Sequence, residues 1–398
     1  MSDGRIYLDH NATTPVDPRV LQAMLPWFSE HFGNAASATH GLGCDAAGGV
    51  EGARAQIAAA INAQPKDLVF TSGATEAVNL AIQGVARHER ERGRHLVTVA
   101  SEHRAVLETC EALQGEGWEV TVVGVDQHGV VDPAAIAAAL RPDTVLASVM
   151  LANNEIGTLH DVAAIGRITR ARGVFLHVDA AQALGKIPVD VEALGADLMS
   201  LSAHKLYGPK GVGALYVRRR EPRVRLTPLI HGGGHERGLR SGTLNVPGII
   251  GFAKAVEIAV AELPSEQARI RDLAERLWRG LDALGGVRRL GHPEHRLANT
   301  VNVLIAGIDA KRLLLDVPRV AASLGAACTS VMPKPSHVLR AIGIDWRAAE
   351  GAVRLSLGRS TTAAEIAEAI RLLGDGVRAC RARRPLPSPD SVSVSQEA

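Results

Sequence analysis

The chain has 398 residues, 46% of them hydrophobic and 22% charged, which suits one large or two medium globular domains and excludes wholesale disorder. Its 44 Lys+Arg against 42 Asp+Glu leave a formal charge of +2. A balance that close to neutral argues against a dedicated nucleic-acid or membrane-surface binder, though not against a local basic patch.

Helical spacing of Val20, Met24, Trp27 and Phe28 predicts an amphipathic helix over 18–32. From 66 to 217 the pattern alternates. Strands are predicted at 68–71, 95–100, 118–125, 144–150, 174–178, 197–201 and 213–217. Helices are predicted at 75–92, 104–116 and 133–141, the last with Asp132 as cap and Pro133 at its first position. This order predicts an α/β fold with a mainly parallel sheet. A long helical stretch covers 246–284. Shorter units follow: strand 300–305, helix 309–316, strand 319–322, helix 336–342, strand 352–357 and helix 362–379. They predict a second, smaller α/β domain. The tail 383–398, rich in Pro and Ser, predicts disorder.

The start, M-S-D-G-R, lacks the apolar core of a signal peptide, and no run of about 18 apolar residues predicts a membrane span. Cysteines at 44, 110, 328 and 380 form no CxxC pair, so neither a zinc ribbon nor a thioredoxin-type site is predicted. They read as reduced thiols in a cytoplasmic protein. Cys44, Cys110 and Cys380 read as buried small hydrophobes.

Three stretches carry chemistry. In D-L-M-S-L-S-A-H-K-L-Y-G-P-K-G-V-G, 197–213, Lys205 directly follows a strand and is flanked by Ser202 and His204. Most lysines are surface lysines on turns. Hydroxyl and imidazole groups beside an ammonium suit a phosphate, however, and a lysine at a strand end can form a Schiff base. In V-F-L-H-V-D-A-A-Q-A-L-G-K, 174–186, Asp179 ends a strand and Gln182 follows. A carboxylate there lies where open α/β sheets place ligands and can keep a pyridine nitrogen protonated; without the lysine it would read as a cap of the next helix. In F-T-S-G-A-T-E-A-V-N-L-A, 70–81, a strand passes through Ser72-Gly73-Ala74-Thr75 into a helix, whose N-terminal N–H groups can bind phosphate.

With these go E-H at 102–103, N-N-E-I-G-T at 153–158, D-A-A-Q at 179–182, S-A-H-K at 202–205 and R-S-G-T at 240–243. Together they resemble pyridoxal-phosphate enzymes of fold type I, and more narrowly the cysteine desulfurases of the NifS/IscS class. The resemblance extends to Y-L-D-H-N-A-T-T-P at 7–15, F-G-N at 32–34, G-A-A-C-T-S at 325–330, P-S-H-V-L-R-A-I-G at 335–343 and V-R-L-S-L-G-R at 353–359. It covers about 5–380 in the family's order.

The resemblance implies a large cofactor-binding domain, 16–259, with a mainly parallel seven-stranded sheet. A small domain would combine 1–15 with 260–382. Lys205 would hold pyridoxal 5'-phosphate by a Schiff base and abstract the substrate α-proton. Asp179 would pair with the pyridine nitrogen, His103 would stack on the ring and carry a proton, and Gln182 would reach the phenolic oxygen. Ala74, Thr75, Ser202 and His204 would hold the phosphate, with Thr243 supplied by the other subunit of a homodimer. Asn154, Arg354 and Asn11 would bind the substrate, L-cysteine, Arg354 matching its carboxylate in bidentate geometry. Cys328 would take the sulfur as a persulfide, its thiolate being the attacking species. No metal is implied. The products would be L-alanine and sulfur for an acceptor or scaffold protein, in iron–sulfur cluster assembly, transfer-RNA thiolation or DNA phosphorothioate modification, without direct nucleic-acid contact.

The chain departs from the family in places. S-L-G-A-A-C replaces the commoner S-S-G-S-A-C, so Leu324 and Ala326 stand for serines. The change predicts a segment, 323–332, more inclined to pack than to swing. His10 stands for the usual Asn, Ala35 for Pro and His235 for Gln. Selenocysteine lyase, another lyase, or an aminotransferase on the same cofactor are the alternative activities. A catalytically silent relative is opposed by the complete set Lys205, Asp179, His103, Cys328 and Arg354. A nicotinamide dehydrogenase is opposed by the absence of G-x-G-x-x-G after the first strand.

Overall fold

A computed structural model describes residues 4–325 and 336–383. Cys328, most of the 323–332 segment and nearly all of the 383–398 tail lie outside the described residues.

Short apolar runs rich in Val and Leu make the main sheet. Its strands are β2 (Leu68–Thr71), β3 (His95–Val99), β4 (Glu119–Val123), β5 (Thr144–Met150), β6 (Phe175–Asp179), β7 (Leu198–Ser202) and β8 (Gly213–Val217), after an N-terminal β1 (Ile6–Tyr7) that lies elsewhere. The order is β2-β8-β7-β6-β5-β3-β4. All pairs are parallel except the two made by β8. Every strand but the edge strand β4 is buried throughout. Continuous apolar runs are what a sheet covered on both faces requires. Leu68 and Phe70 face one core with the helices Gly41–Ala60 and Val246–Asp282. Val69 faces the other, with Ala74–Glu89 and Arg104–Gly115.

The second unit is an antiparallel sheet, β12 (Ser323–Leu324), β13 (Ala352–Ser356), β10 (Thr300–Ile305) and β9 (Val287–Arg289), in that order. Helix Ala363–Arg383 covers it. β1 pairs in parallel with β11 (Val320–Ala321), Ile6 opposite Val320. The long helix Val246–Asp282 serves both cores, with Ile249, Phe252 and Val256 in the first and Ile270, Leu273 and Leu277 in the second.

Several sequence readings change. Cys44, expected to be buried, is exposed, whereas Cys110 and Cys380 are buried. The helix expected over 18–32 is two pieces, Pro18–Met24 and Pro26–Ser29, because Pro26 removes a helical N–H donor and restarts the turn. Helices Gly41–Ala60 and Val162–Ala171 were not anticipated. The first of these is built from Ala and Gly, and Gly49 admits the Trp27 ring so closely that a Cβ would lie 2.3 Å from it. Asp132 and Pro133 start their helix as expected, the carboxylate accepting from Ala134 N. Among the described residues no helix is long and apolar enough to cross a membrane, and no cluster fit to hold a metal occurs.

Candidate active site

The carboxyl ends of β2, β3, β5, β6 and β7 lie on one edge of the main sheet, where the loops leave a cavity of about 590 Å³. That is the size of a small-molecule site. Ala74, Thr75, His103, Asn154, Asp179, Gln182, Ser202, His204 and Lys205 all line it. These residues are up to 131 positions apart in the chain, and strand ends bring them together.

At the end of β2 the chain turns through Gly73, whose φ of +154° disfavours a side chain, into helix Ala74–Glu89. The first N–H groups of a helix have no intrahelical acceptor, so Ala74 and Thr75 present donors to an anion. Gly213 passes beneath: a Cβ there would meet Gly73 Cα at 2.7 Å, so only glycine lets the two segments approach. Glu76 ties the turn down. It accepts from Ser72 N at 2.8 Å and from Arg240 Nε at 2.8 Å.

Asp179, the last residue of β6, is 6% exposed and accepts from Ala181 N at 2.9 Å. Burial pushes its carboxyl up, while His103 and Lys205 pull it back. A buried carboxylate of this kind favours a cationic partner. His103 caps helix Arg104–Gly115, and its Nδ1 accepts from Ala105 N at 3.1 Å. Burial lowers its pKa against the opposing pull of Asp179. Nδ1 is thus taken up as an acceptor, which leaves Nε2 to carry a proton.

Lys205 follows β7 in a short 3₁₀ turn. Its Nζ donates to the main-chain oxygens of Asn11 and Ala12, both at 2.7 Å. Burial, with the positive Arg354 nearby, pulls it down to about 8. His204 Nδ1 lies 3.1 Å from Thr13 Oγ1, and burial takes the ring to about 4.

Of the remaining expected residues, Asn11, Arg354 and Thr243 are not among those that line the cavity. Asn11 is buried and joins the two units. Its main-chain N–H donates to Ser356 Oγ at 2.9 Å, its Nδ2 to Thr300 Oγ1 at 2.9 Å and to Asn154 O at 3.2 Å. Arg354 donates to Asp9 at 2.8 Å, to Ser323 Oγ at 2.9 Å and to Asn154 O at 3.2 Å, while its buried Nε has no partner among the described residues. Thr243 is exposed and does not line its own chain's cavity. The segment carrying Cys328 is bounded by two tethers: Gly325 N donates to Ala352 O at 2.7 Å, and Ser336 Oγ donates to Glu155 at 2.5 Å.

The donor set fits pyridoxal phosphate. Helix-end N–H groups with Ser202 and His204 suit a phosphate. The buried Asp179 suits a protonated ring nitrogen, and Lys205 reaches into the same space.

The chain matches the aminotransferase class-V family over residues 6–368. The chain belongs to this family. Class-V aminotransferases and cysteine desulfurases use pyridoxal phosphate, the group that the cavity fits. The chain is 53% identical over 394 residues to "Cysteine desulfurase IscS" of Anaeromyxobacter dehalogenans (strain 2CP-C), covering 98% of this chain and 97% of that one. Among solved structures, a "NifS-like protein" superposes with a TM-score of 0.87 at 41% identity, covering 93% of this chain and 98% of that one. "SspA in complex with cysteine" superposes with a TM-score of 0.78 at 36% identity, covering 88% and 98%.

Sequence reasoning missed the supports of this class-V site. Arg54 and Glu236, each with a side chain 2% exposed, form a 2.7 Å ion pair, and Glu236 also accepts from Phe70 N in β2. Nothing local marks a lone Arg in an Ala/Gly helix as buried. Lys186 was passed over as well, although its place four residues after Gln182 was a readable signal.

Proposed function

We infer that this chain performs the reaction for which its full-length relatives are named. It takes sulfur from L-cysteine using bound pyridoxal phosphate, releases L-alanine and keeps the sulfur as a persulfide on Cys328 for an acceptor protein. The convergence of Lys205, Asp179 and His103 on one cavity carries the reading. A chain similar to this one binds cysteine in its solved complex.

When bound, pyridoxal phosphate supplies an electron sink beside the substrate α-carbon. The N–H groups of Ala74 and Thr75, with Ser202 and His204, would hold its phosphate. Asp179 would keep the ring nitrogen in its charged form, His103 would stack on the ring, and Gln182 would reach the phenolic oxygen. Lys205 Nζ moves the α-proton; at about 8 its amine is partly unprotonated near neutral pH, as a base requires. His103 Nε2 delivers a proton to the departing carbon fragment. Asn154, Asn11 and Arg354 bind the substrate, with the carboxylate on Arg354, whose buried Nε–H lacks an acceptor among the described residues.

The Cys328 thiolate attacks the substrate sulfur. The new S–S bond forms as the substrate Cβ–S bond breaks. The electron pair stays on the carbon fragment, which leaves as alanine after protonation, so no outside oxidant is needed.

The exposed Thr243 supports a homodimer in which this residue completes the partner's cavity. The two cores support a large domain, 16–259, and a small one, 1–15 with 260–382. A cytoplasmic setting suits a thiol that must stay reduced.

The test is sulfide and alanine formation from L-cysteine with a thiol reductant, for the wild type and Cys328→Ser. Equal yields of both products, lost in the variant, support the reading. Undiminished desulfuration in the variant overturns the role of Cys328.

A further inference from the structure

A second lysine stands beside the site without a part in the chemistry above. Lys186 lies in the turn after β6, four residues beyond Gln182. Its Nζ donates to Gln182 Oε1 at 2.5 Å and to Asn11 Oδ1 at 3.2 Å. Both acceptors are uncharged amide oxygens. Burial, with the cationic Lys205 and Arg354 nearby, pushes its amine below the usual lysine range. Its two donated bonds fix it between the two side-chain amides.

The same contacts decide which way the Gln182 amide points. Its Nε2 donates to Asn11 O at 2.9 Å. Turned over, the amide would set Oε1 against that carbonyl oxygen, two acceptors in contact, and would withdraw the acceptor from Lys186. One Nε2 hydrogen is engaged by Asn11, and the second remains for the contents of the cavity that Gln182 lines.

We propose that Lys186 is a positioning residue: by donating to Oε1 it holds Gln182 so that an N–H, and not the amide oxygen, faces the phenolic oxygen of the cofactor. The proposal rests on the reading of Gln182 given above. It explains a lysine where an apolar residue would fill the space: an apolar residue leaves Oε1 unpaired and the amide able to turn.

The visible absorption band of the cofactor-loaded protein, titrated with pH, reports on the phenolic oxygen directly. Four proteins are compared: wild type, Gln182→Leu, Lys186→Met and the double variant, each checked for fold by circular dichroism. Lys186→Met is expected to move the titration midpoint in the same direction as Gln182→Leu. The double variant is expected to move it no further than Gln182→Leu alone, because both act through one amide. Shifts that add, or an unmoved midpoint in Lys186→Met beside a moved one in Gln182→Leu, overturn the proposal and spare the Gln182 reading. An unmoved midpoint in Gln182→Leu removes that reading and the proposal with it. If Lys186→Met does not fold, Lys186→Gln replaces it in the same cycle. A midpoint in Lys186→Gln that adds to the Gln182→Leu shift overturns the proposal, and one that does not add supports it.

Discussion

The amine of Lys205 is held 2.7 Å from the main-chain oxygen of Asn11, a residue 194 positions away. A main-chain acceptor survives any side-chain substitution. The lysine is therefore aimed by the path of residues 9–14, and that path is pinned in turn to both units by the Asn11 side chain. The bonds of the Asn11 amide to Asn154, Thr300 and Asn299 make it a joint between the two units.

Removing that amide should loosen the joint. Asn11→Ala leaves Asn299 Nδ2, Thr300 Oγ1 and Lys186 Nζ short of a partner. It is expected to lower unfolding stability by about 1–3 kcal/mol. Urea denaturation with the cofactor bound measures this, and a variant as stable as the wild type contradicts it.

Lys205→Ala should leave the fold intact and reduce alanine formation by roughly 10³-fold, the scale of a lost acid–base group. Coupled assay of alanine, alongside the thermal midpoint, separates chemistry from folding. Activity within tenfold of the wild type would remove Lys205 from the reaction.

Arg354→Lys keeps a positive charge but not the planar pair of donors. The KM for L-cysteine should rise about 10–100-fold, the equivalent of one charged hydrogen bond, with a smaller change in kcat. Steady-state kinetics decide. An unchanged KM means that the arginine serves only its ion pair with Asp9.

Glu155 gives a pH signature. Burial lifts its carboxyl from 4.5 to about 7, so between those values the folded chain holds a proton that the unfolded chain has lost. The stability it contributes is complete below pH 4.5 and is lost as pH rises through about 7. Glu155→Gln keeps an acceptor for Ser336 and should gain roughly 3 kcal/mol over the wild type above pH 7 relative to acid conditions. Denaturation at acid and alkaline pH tests the sign, and parallel curves for the two proteins reject it.

Arg54→Met should destabilise the fold by about 3–5 kcal/mol, because Glu236 is left buried and charged. Adding Glu236→Met should return part of that loss. Guanidinium denaturation of the four proteins of the cycle measures the coupling, and strictly additive losses would deny it.

Much of the architecture was readable because its signals are local. Val- and Leu-rich runs marked β2 to β8, and Asp132-Pro133 marked a helix start by capping chemistry alone. Helix Gly41–Ala60 stayed hidden because Ala and Gly give almost no apolar period, and its packing depends on missing side chains such as that of Gly49 against Trp27. The cavity residues were named through the family motifs, and strand ends bring most of them together. Their supports were not readable. Arg54 with Glu236, and Lys186 with Gln182 and Asn11, owe their meaning to partners the chain meets only when folded.

The pairing of Ile6 with Val320 orders events during synthesis. The segment that aims Lys205 leaves the ribosome early, yet its strand partner emerges some 300 residues later. Until then the main sheet can fold with its lysine present and its aiming strand unmoored. Contacts of such span are the slow ones to form. The protein is therefore expected to acquire its sheet first and its competence for cofactor last.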